Sequence, residues 1–162
     1  MWFLSWRADP RVARLADRHY SRKTVGAAQF APPGRILVLR TADADAAWVT
    51  SWPLPEYVLG AWPGAWVCSL FRNESPALSS ALIVEAVAAT RWRFGEVPAE
   101  GMVTFVDEDK VRPKRDPGRC FRRAGFVPAG RTTDRGLLIL RLDPADMPPP
   151  APPQGSQMPL AL

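Results

Sequence analysis

Short apolar runs separated by turn-forming residues set the pattern of the chain: ILVLRT (36–41), AWVTSW (47–52), AWVCSLF (65–71), GMVTFVD (101–107) and LLILRL (137–142). Each is six or seven residues long, mostly apolar, with Gly, Pro, Asp or Asn at or near its ends. Such runs predict strands of one sheet. Two stretches have helical spacing instead. Asp9-Pro10 is a helix start, Asp as N-cap and Pro at the first helical position, and RVARLADRH follows it. Arg7, Arg11, Arg14 and Arg18 make one basic stripe, with Val12, Leu15, Ala16 and His19 on the opposite, apolar side. A helix that persists to His19 points the imidazole inward. ALIVEAVAATRWRF (81–94) is the second helix, capped by Ser79 or Ser80, and DPGRCFRRAGF (116–126) reads as a short third one that starts at Pro117 and stops at Gly125. The order of elements predicts an α/β fold, with a mixed, mostly antiparallel sheet and helices on both faces. Residues 1–143 form a single domain. From Pro144 on, PADMPPPAPPQGSQMPL is too rich in proline to build a core and predicts a disordered tail over 144–162.

Composition adds the compartment. The 162 residues are 47% hydrophobic and 23% charged, as in ordinary globular proteins. MWFLSWRADP is too short and too soon charged for a signal peptide, and no apolar run reaches membrane-spanning length. Cys68 and Cys120, the only cysteines, form neither a disulfide framework nor a CxxC metal motif, which points to a reducing cytoplasm and no membrane.

Charge changes the picture more. The net charge is +5, yet the basic groups are concentrated in two segments. Residues 7–23 carry six (Arg7, Arg11, Arg14, Arg18, Arg22, Lys23) against Asp9 and Asp17; residues 110–123 carry seven (Lys110, Arg112, Lys114, Arg115, Arg119, Arg122, Arg123) against Asp116 alone. The remainder is net acidic. Two basic segments on an acidic body suit a polyanion, a nucleic acid or a phosphorylated cofactor; the plainer reading is two solvated arginine faces. Arg22, Lys23, Arg112, Lys114, Arg115 and Arg119 are the candidate phosphate contacts, the last four in a Pro- and Gly-punctuated loop fit to clamp a backbone.

His19 is the only histidine, and Tyr20 follows it directly. An imidazole on an apolar helix face is either a core histidine with both nitrogens satisfied or a neutral base or ligand beside positive charge. Tyr20 can pack against a strand, act as an acid or ligate a metal as phenolate. Asp107 ends a core strand, where α/β proteins place active groups; Glu108 and Asp109 after it also allow a solvated acidic turn. With the imidazole and phenol, this carboxylate makes a donor set that suits iron better than zinc, although one histidine is too few for a two-His, one-carboxylate triad. Trp48, Trp52 and Trp66 read as sheet-packing residues, and Trp62, in a Pro/Gly-rich loop, as the candidate for an exposed ring.

The order strand 65–71, helix 79–94, strand 101–107, helix 117–124, final strand resembles the core of the GNAT acetyltransferase superfamily, and RCFRRAGF is similar to the short helix ending in Gly-Phe found in many of its members. The sequence departs from that superfamily at the pyrophosphate loop, which here reads Arg72-Asn73-Glu74-Ser75-Pro76-Ala77 and lacks the usual glycines. HYS after the first helix, Arg72, Ser80 and the Asp of FVD, in this order, resemble the Mom DNA-modification proteins of phages and prophages. That resemblance implies a transferase that converts adenine in DNA to its N6-carbamoylmethyl form, protecting the DNA from restriction. It implies acetyl-CoA as cofactor, held by Arg72, Ser79 and Ser80, a link to bound iron through His19, Tyr20 and Asp107, and double-stranded DNA as partner. His19, Tyr20 and Asp107 would then be the catalytic residues, converging in one pocket. Oligomeric state stays open, a homodimer included. Two other functions compete: an ordinary GNAT N-acetyltransferase acting on a small amine or a protein, and a non-catalytic nucleic-acid binder on the same scaffold.

Overall fold

The computed structural model describes residues 1–19, 22–58, 60, 62–110 and 116–156. Its centre is a seven-stranded open sheet in the order β1-β2-β3-β4-β5-β7-β6, with β1 Phe3–Leu4, β2 Arg35–Arg40, β3 Ala46–Trp52, β4 Trp66–Asn73, β5 Met102–Val106, β6 Val127–Arg131 and β7 Leu138–Leu142. The helices are α1 Pro10–Asp17, α2 Ser79–Phe94 and α3 Arg119–Arg123. Every neighbouring pair is antiparallel except β4 and β5. The chain is thus a single α/β domain with a mostly antiparallel sheet. None of its described helices is long and apolar enough to cross a membrane.

α1 forms where the sequence predicts it, for the predicted reason. The Asp9 carboxylate caps it, Oδ1 accepting from the Arg11 N–H at 3.0 Å, and Pro10 opens the first turn. Val12, Leu15 and Ala16 are buried against Val38, Ala47, Val49 and Leu70 on one face of the sheet. Burying a Val or Leu side chain contributes roughly 1.5–3 kcal/mol, enough to seat so short a helix. The helix ends at Asp17, two residues before the expected end, and His19 lies in the bend that follows, its N–H donating to the Ala16 carbonyl at 2.9 Å.

α2 covers the opposite face. Its buried residues run almost all round, from Leu82 and Ile83 through Ala86–Thr90, because it is covered twice. The sheet lies on one side. On the other lies the segment after Pro144, which was expected to be a disordered tail. Met147 is buried in the core cluster, the Arg91 Nη1 donates to the Pro148 carbonyl at 2.7 Å, the Ala151 N–H to Ala88 at 3.1 Å and the Gln154 N–H to Trp2 at 2.8 Å. Residues 144–156 therefore form a strap that follows α2 to β1. Extended proline-rich chain needs no internal hydrogen bonds, so it can take them from an existing surface. Two further expectations are corrected. Neither serine caps α2: Leu78 holds the N-cap position without a side-chain cap, and Ser79 is already helical. α3 begins only at Arg119, after Gly118 at φ +79°, a conformation that favours glycine.

Two irregularities shape the middle of the sheet. Val49 pairs with Leu70 but Thr50 with Cys68, so Ser69 is an extra residue in β4 that bulges the strand. Next to it, β4 and β5 pair only over Trp66–Met102, Val67–Val103 and Cys68–Thr104. Beyond that point the two strands part.

Candidate functional site

The parting of β4 and β5 opens a cavity of about 600 Å³. Ser69, Leu70 and Phe71 form its wall on the β4 side, and Phe105, Val106 and Asp107 on the β5 side. His19, Arg22, Lys23 and Thr24, from the chain after α1, reach its rim, as does Arg135 from the β6–β7 loop. The structure thus brings His19 and Asp107 to one cavity through different elements. α1 delivers the first, and the end of β5 the second. Tyr20, expected between them, lies outside the described residues, as do Arg112, Lys114 and Arg115.

Asp107 is held by a turn of its own making. Its Oδ1 accepts from the backbone N–H of Asp109 at 3.2 Å and of Lys110 at 3.4 Å. Oδ2 lies 3.8 Å from Arg135 Nη2, and Arg131 pairs with Glu108 beside it. The β6–β7 hairpin therefore neutralises part of the acidic turn and orients the carboxylate. Sequence reasoning missed Arg135; its one signal is a basic residue in the TTDRG turn between two late strands. Cys68 lies in the cavity wall, where burial drives the thiol pKa up and leaves it a small, inert core residue.

The basic residues separate into paired and unpaired ones. Arg22 was expected to contact phosphate, yet its side chain is only 8% exposed. Its Nε donates to Asp17 at 2.9 Å and its Nη atoms to the carbonyls of Gln29 and Ala27. It pins the loop after α1. Lys23 and Arg119 are exposed and, like Arg14, make no ion pair among the described residues, so they remain available to an anion.

Arg72, Ser79 and Ser80, the expected cofactor residues, do not line the cavity. Arg72 is spent on its neighbours, its Nε donating to Glu74 at 2.5 Å and its Nη1 to the Arg18 carbonyl at 2.8 Å. Arg18 meets the same carboxylate through Nε at 2.8 Å and Nη2 at 2.9 Å. The glycine-free loop is likewise filled from within. Asn73 Oδ1 accepts from the N–H of Ser75, Ser75 Oγ from the N–H of Ala77, and the Asn73 amide donates to Ser79 Oγ. What this region keeps for an anion is the uncapped first turn of α2, whose N–H groups have no side-chain acceptor.

The hydrogen bonds from Arg18, then Arg72, lower the Glu74 pKa from the ordinary 4.5 to about 2. A depressed folded-state value means the network stabilises the fold in full above pH 4.5 and loses that contribution as pH falls towards 2. In acid titrations followed by circular dichroism, Glu74→Gln is expected to flatten this part of the stability profile. An acid limb identical to wild type would show that the network contributes nothing.

Of the three side chains expected to hold iron, His19 and Asp107 share the cavity and Tyr20 lies outside the described residues. Among the described residues, no three His, Cys, Asp or Glu side chains come together to hold a metal ion. The Asp107 carboxylate is already engaged by two amides and a guanidinium. For the cofactor the fit is better in one part than the other. The cavity offers an open strand edge to an extended chain, while neither Arg72 nor the first turn of α2 lines it. Comparison of the chain with protein-family models, with curated proteins and with solved structures returned no match.

Proposed function

We propose that the chain is a GNAT-like transferase that carries out acetyl-CoA-dependent N6-carbamoylmethylation of adenine in DNA. The observation that carries this reading is the parting of the parallel β4–β5 pair after three residue pairs, with a bulge in β4 and with His19 and Asp107 both on the cavity it opens. A strand that loses its neighbour offers main-chain groups to an extended amide chain by strand addition, and the pantetheine arm of acetyl-CoA is such a chain. The N–H groups of Ser79, Ser80 and Ala81 in the uncapped first turn of α2 would face its diphosphate. Acetyl-CoA would supply the two-carbon unit; joining its methyl carbon to N6 and its carbonyl to an amide nitrogen, with the CoA thiol as leaving group, also requires an amine donor and a two-electron oxidant as co-reactants.

The chain's own residues handle the acceptor. An adenine must leave the base stack to enter a cavity walled by two strands. Lys23 on the rim attracts its phosphodiester. Asp107, oriented by the Asp109 and Lys110 amides and by Arg135, accepts the proton that the exocyclic amine loses. His19, at the rim of the same cavity, positions the base.

Cofactor binding is tested by thermal melting. Acetyl-CoA at 100 times its dissociation constant adds about 2.7 kcal/mol, which for a domain of this size raises Tm by roughly 5–10 °C. No shift with millimolar acetyl-CoA or CoA would remove the cofactor from the account. Acetyl transfer to a small amine in the absence of DNA would select the ordinary acetyltransferase instead.

A further inference from the structure

A second cleft, of about 550 Å³, lies at the other end of α1. The segment Ser5–Arg7 forms one side, Gly34–Ile36 at the start of β2 the floor, and Arg93–Phe94 at the end of α2 the far side. Its lining contains three arginines, Arg7, Arg35 and Arg93, and no acidic residue. None of the three has a carboxylate partner among the described residues, whereas Arg11, Arg18, Arg22, Arg72 and Arg131 are all paired. Two of them are also held in place. Arg7 Nη2 donates to the Gly34 carbonyl at 2.8 Å. The Arg35 guanidinium stacks 4.2 Å from the Trp52 ring centroid and 5.1 Å from that of Phe94, which fixes the plane of its donors while leaving them to solvent.

At the mouth stands Trp6. It is 54% exposed, although the chain's other tryptophans are buried or half-buried. Its carbonyl accepts from the Asp9 N–H at 3.1 Å, so the turn that starts α1 fixes its backbone. The Arg11 guanidinium lies 6.0 Å from the ring. A large aromatic surface held in water has no role in packing. Beside unpaired guanidinium groups it matches what a nucleic-acid strand requires: a flat platform for a base and cations for the phosphates.

We infer that this cleft is a second nucleic-acid contact, holding a strand that flanks the target with a base against Trp6 and phosphates on Arg7, Arg35 and Arg93. It deepens the reading of DNA as acceptor and rests on it. α1 joins the two sites. Its 8 residues span about 12 Å, roughly three to four base-pair steps, and its exposed outer side carries Arg14. The flank contact therefore sits a few nucleotides from the modified base and fixes the register in which that base meets His19 and Asp107.

The test is titration of fluorescein-labelled duplex DNA, and of the same duplex with one unpaired base, at several salt concentrations. Trp6→Leu is expected to weaken binding about fivefold or more, while Trp6→Phe, which keeps an aromatic ring, binds close to wild type. Arg7→Gln and Arg93→Gln should each reduce the slope of log affinity against log salt by about one. Wild-type affinity and slope in all these variants would overturn the flank contact and leave DNA as acceptor intact. Failure of the wild-type protein to bind DNA at all would overturn both. If the variants instead lose binding to phosphatidylserine vesicles while DNA binding is unchanged, the cleft serves a membrane surface and the inference falls. Loss of binding in Trp6→Phe to the same degree as in Trp6→Leu would also overturn it, because the ring would then not be the feature read.

Discussion

Asp107→Asn is expected to lower adenine modification by about a hundredfold or more, the share a positioned general base contributes, while barely changing the melting temperature. The two halves of this result have separate causes. Asparagine keeps an Oδ1 acceptor for the Asp109 and Lys110 N–H groups, so the turn at the end of β5 survives. The lost contact, 3.8 Å between a carboxylate that is 16% exposed and an Arg135 side chain that is 59% exposed, is a long, partly exposed ion pair worth about 1 kcal/mol. That corresponds to a Tm change of no more than roughly 4 °C. What asparagine cannot do is take up a proton. His19→Ala should reduce modification in the same direction. Nucleoside analysis of DNA treated with each variant, next to a melting curve, separates the two effects. Full modification by Asp107→Asn would reduce this residue to a turn former.

Asp9→Ala should destabilise the protein by about 3 kcal/mol, or roughly 6–12 °C in Tm. Asp9 is wholly buried. Oδ1 caps α1, and Oδ2 accepts from Ser5 Oγ at 2.7 Å and from Arg11 Nη2 at 3.2 Å. Arg40 Nε lies 3.4 Å from Oδ2. Burial alone would raise the carboxyl pKa, but the hydrogen bonds from Arg11 and Ser5 outweigh it and the net shift is downward. Removing the carboxylate deletes a cap worth about 1 kcal/mol and leaves the largely buried Arg40 without its counter-charge. Asp9→Asn keeps a capping oxygen and loses only the charge, so its destabilisation should be clearly smaller. Chemical denaturation of both variants measures the difference. Equal losses would show that the cap does not matter, and no loss in Asp9→Ala would show that the buried charge is not a support of α1. Because α1 carries the chain that leads to His19, a destabilised α1 should also weaken the site.

How much of this was legible in the sequence depended on whether a residue's role is local. The five long strands declared themselves because their apolar residues are continuous, and Asp9-Pro10 because capping is a nearest-neighbour effect. β6 did not. VPAGR is exposed at nearly every position, contains proline and glycine, and forms a strand only because β7 is there to pair with. The strap over 144–156 reads as disorder by composition, since proline-rich chain cannot make a core, but α2 presents an apolar second side that it can cover. The basic segments could be counted but not paired. Arg22 and Lys23 are adjacent, yet one is consumed by Asp17 and two carbonyls while the other is open to solvent. Trp62, expected to be exposed, is half-buried beneath the Arg141 guanidinium at 4.5 Å; the exposed indole is Trp6, hidden in a segment that reads like the apolar start of the chain. The meeting of His19 with Asp107 depends on where β4 and β5 part, and no local pattern carries that. It was expected only through the resemblance carried by HYS, Arg72, Ser80 and FVD.

The most direct measurement of the central claim is mass spectrometry of nucleosides from plasmid DNA of cells expressing the protein. The account predicts a deoxyadenosine species heavier by one carbamoylmethyl group, present with the wild-type chain and strongly reduced with Asp107→Asn. Deoxyadenosine that stays unmodified in cells containing folded wild-type protein would contradict it.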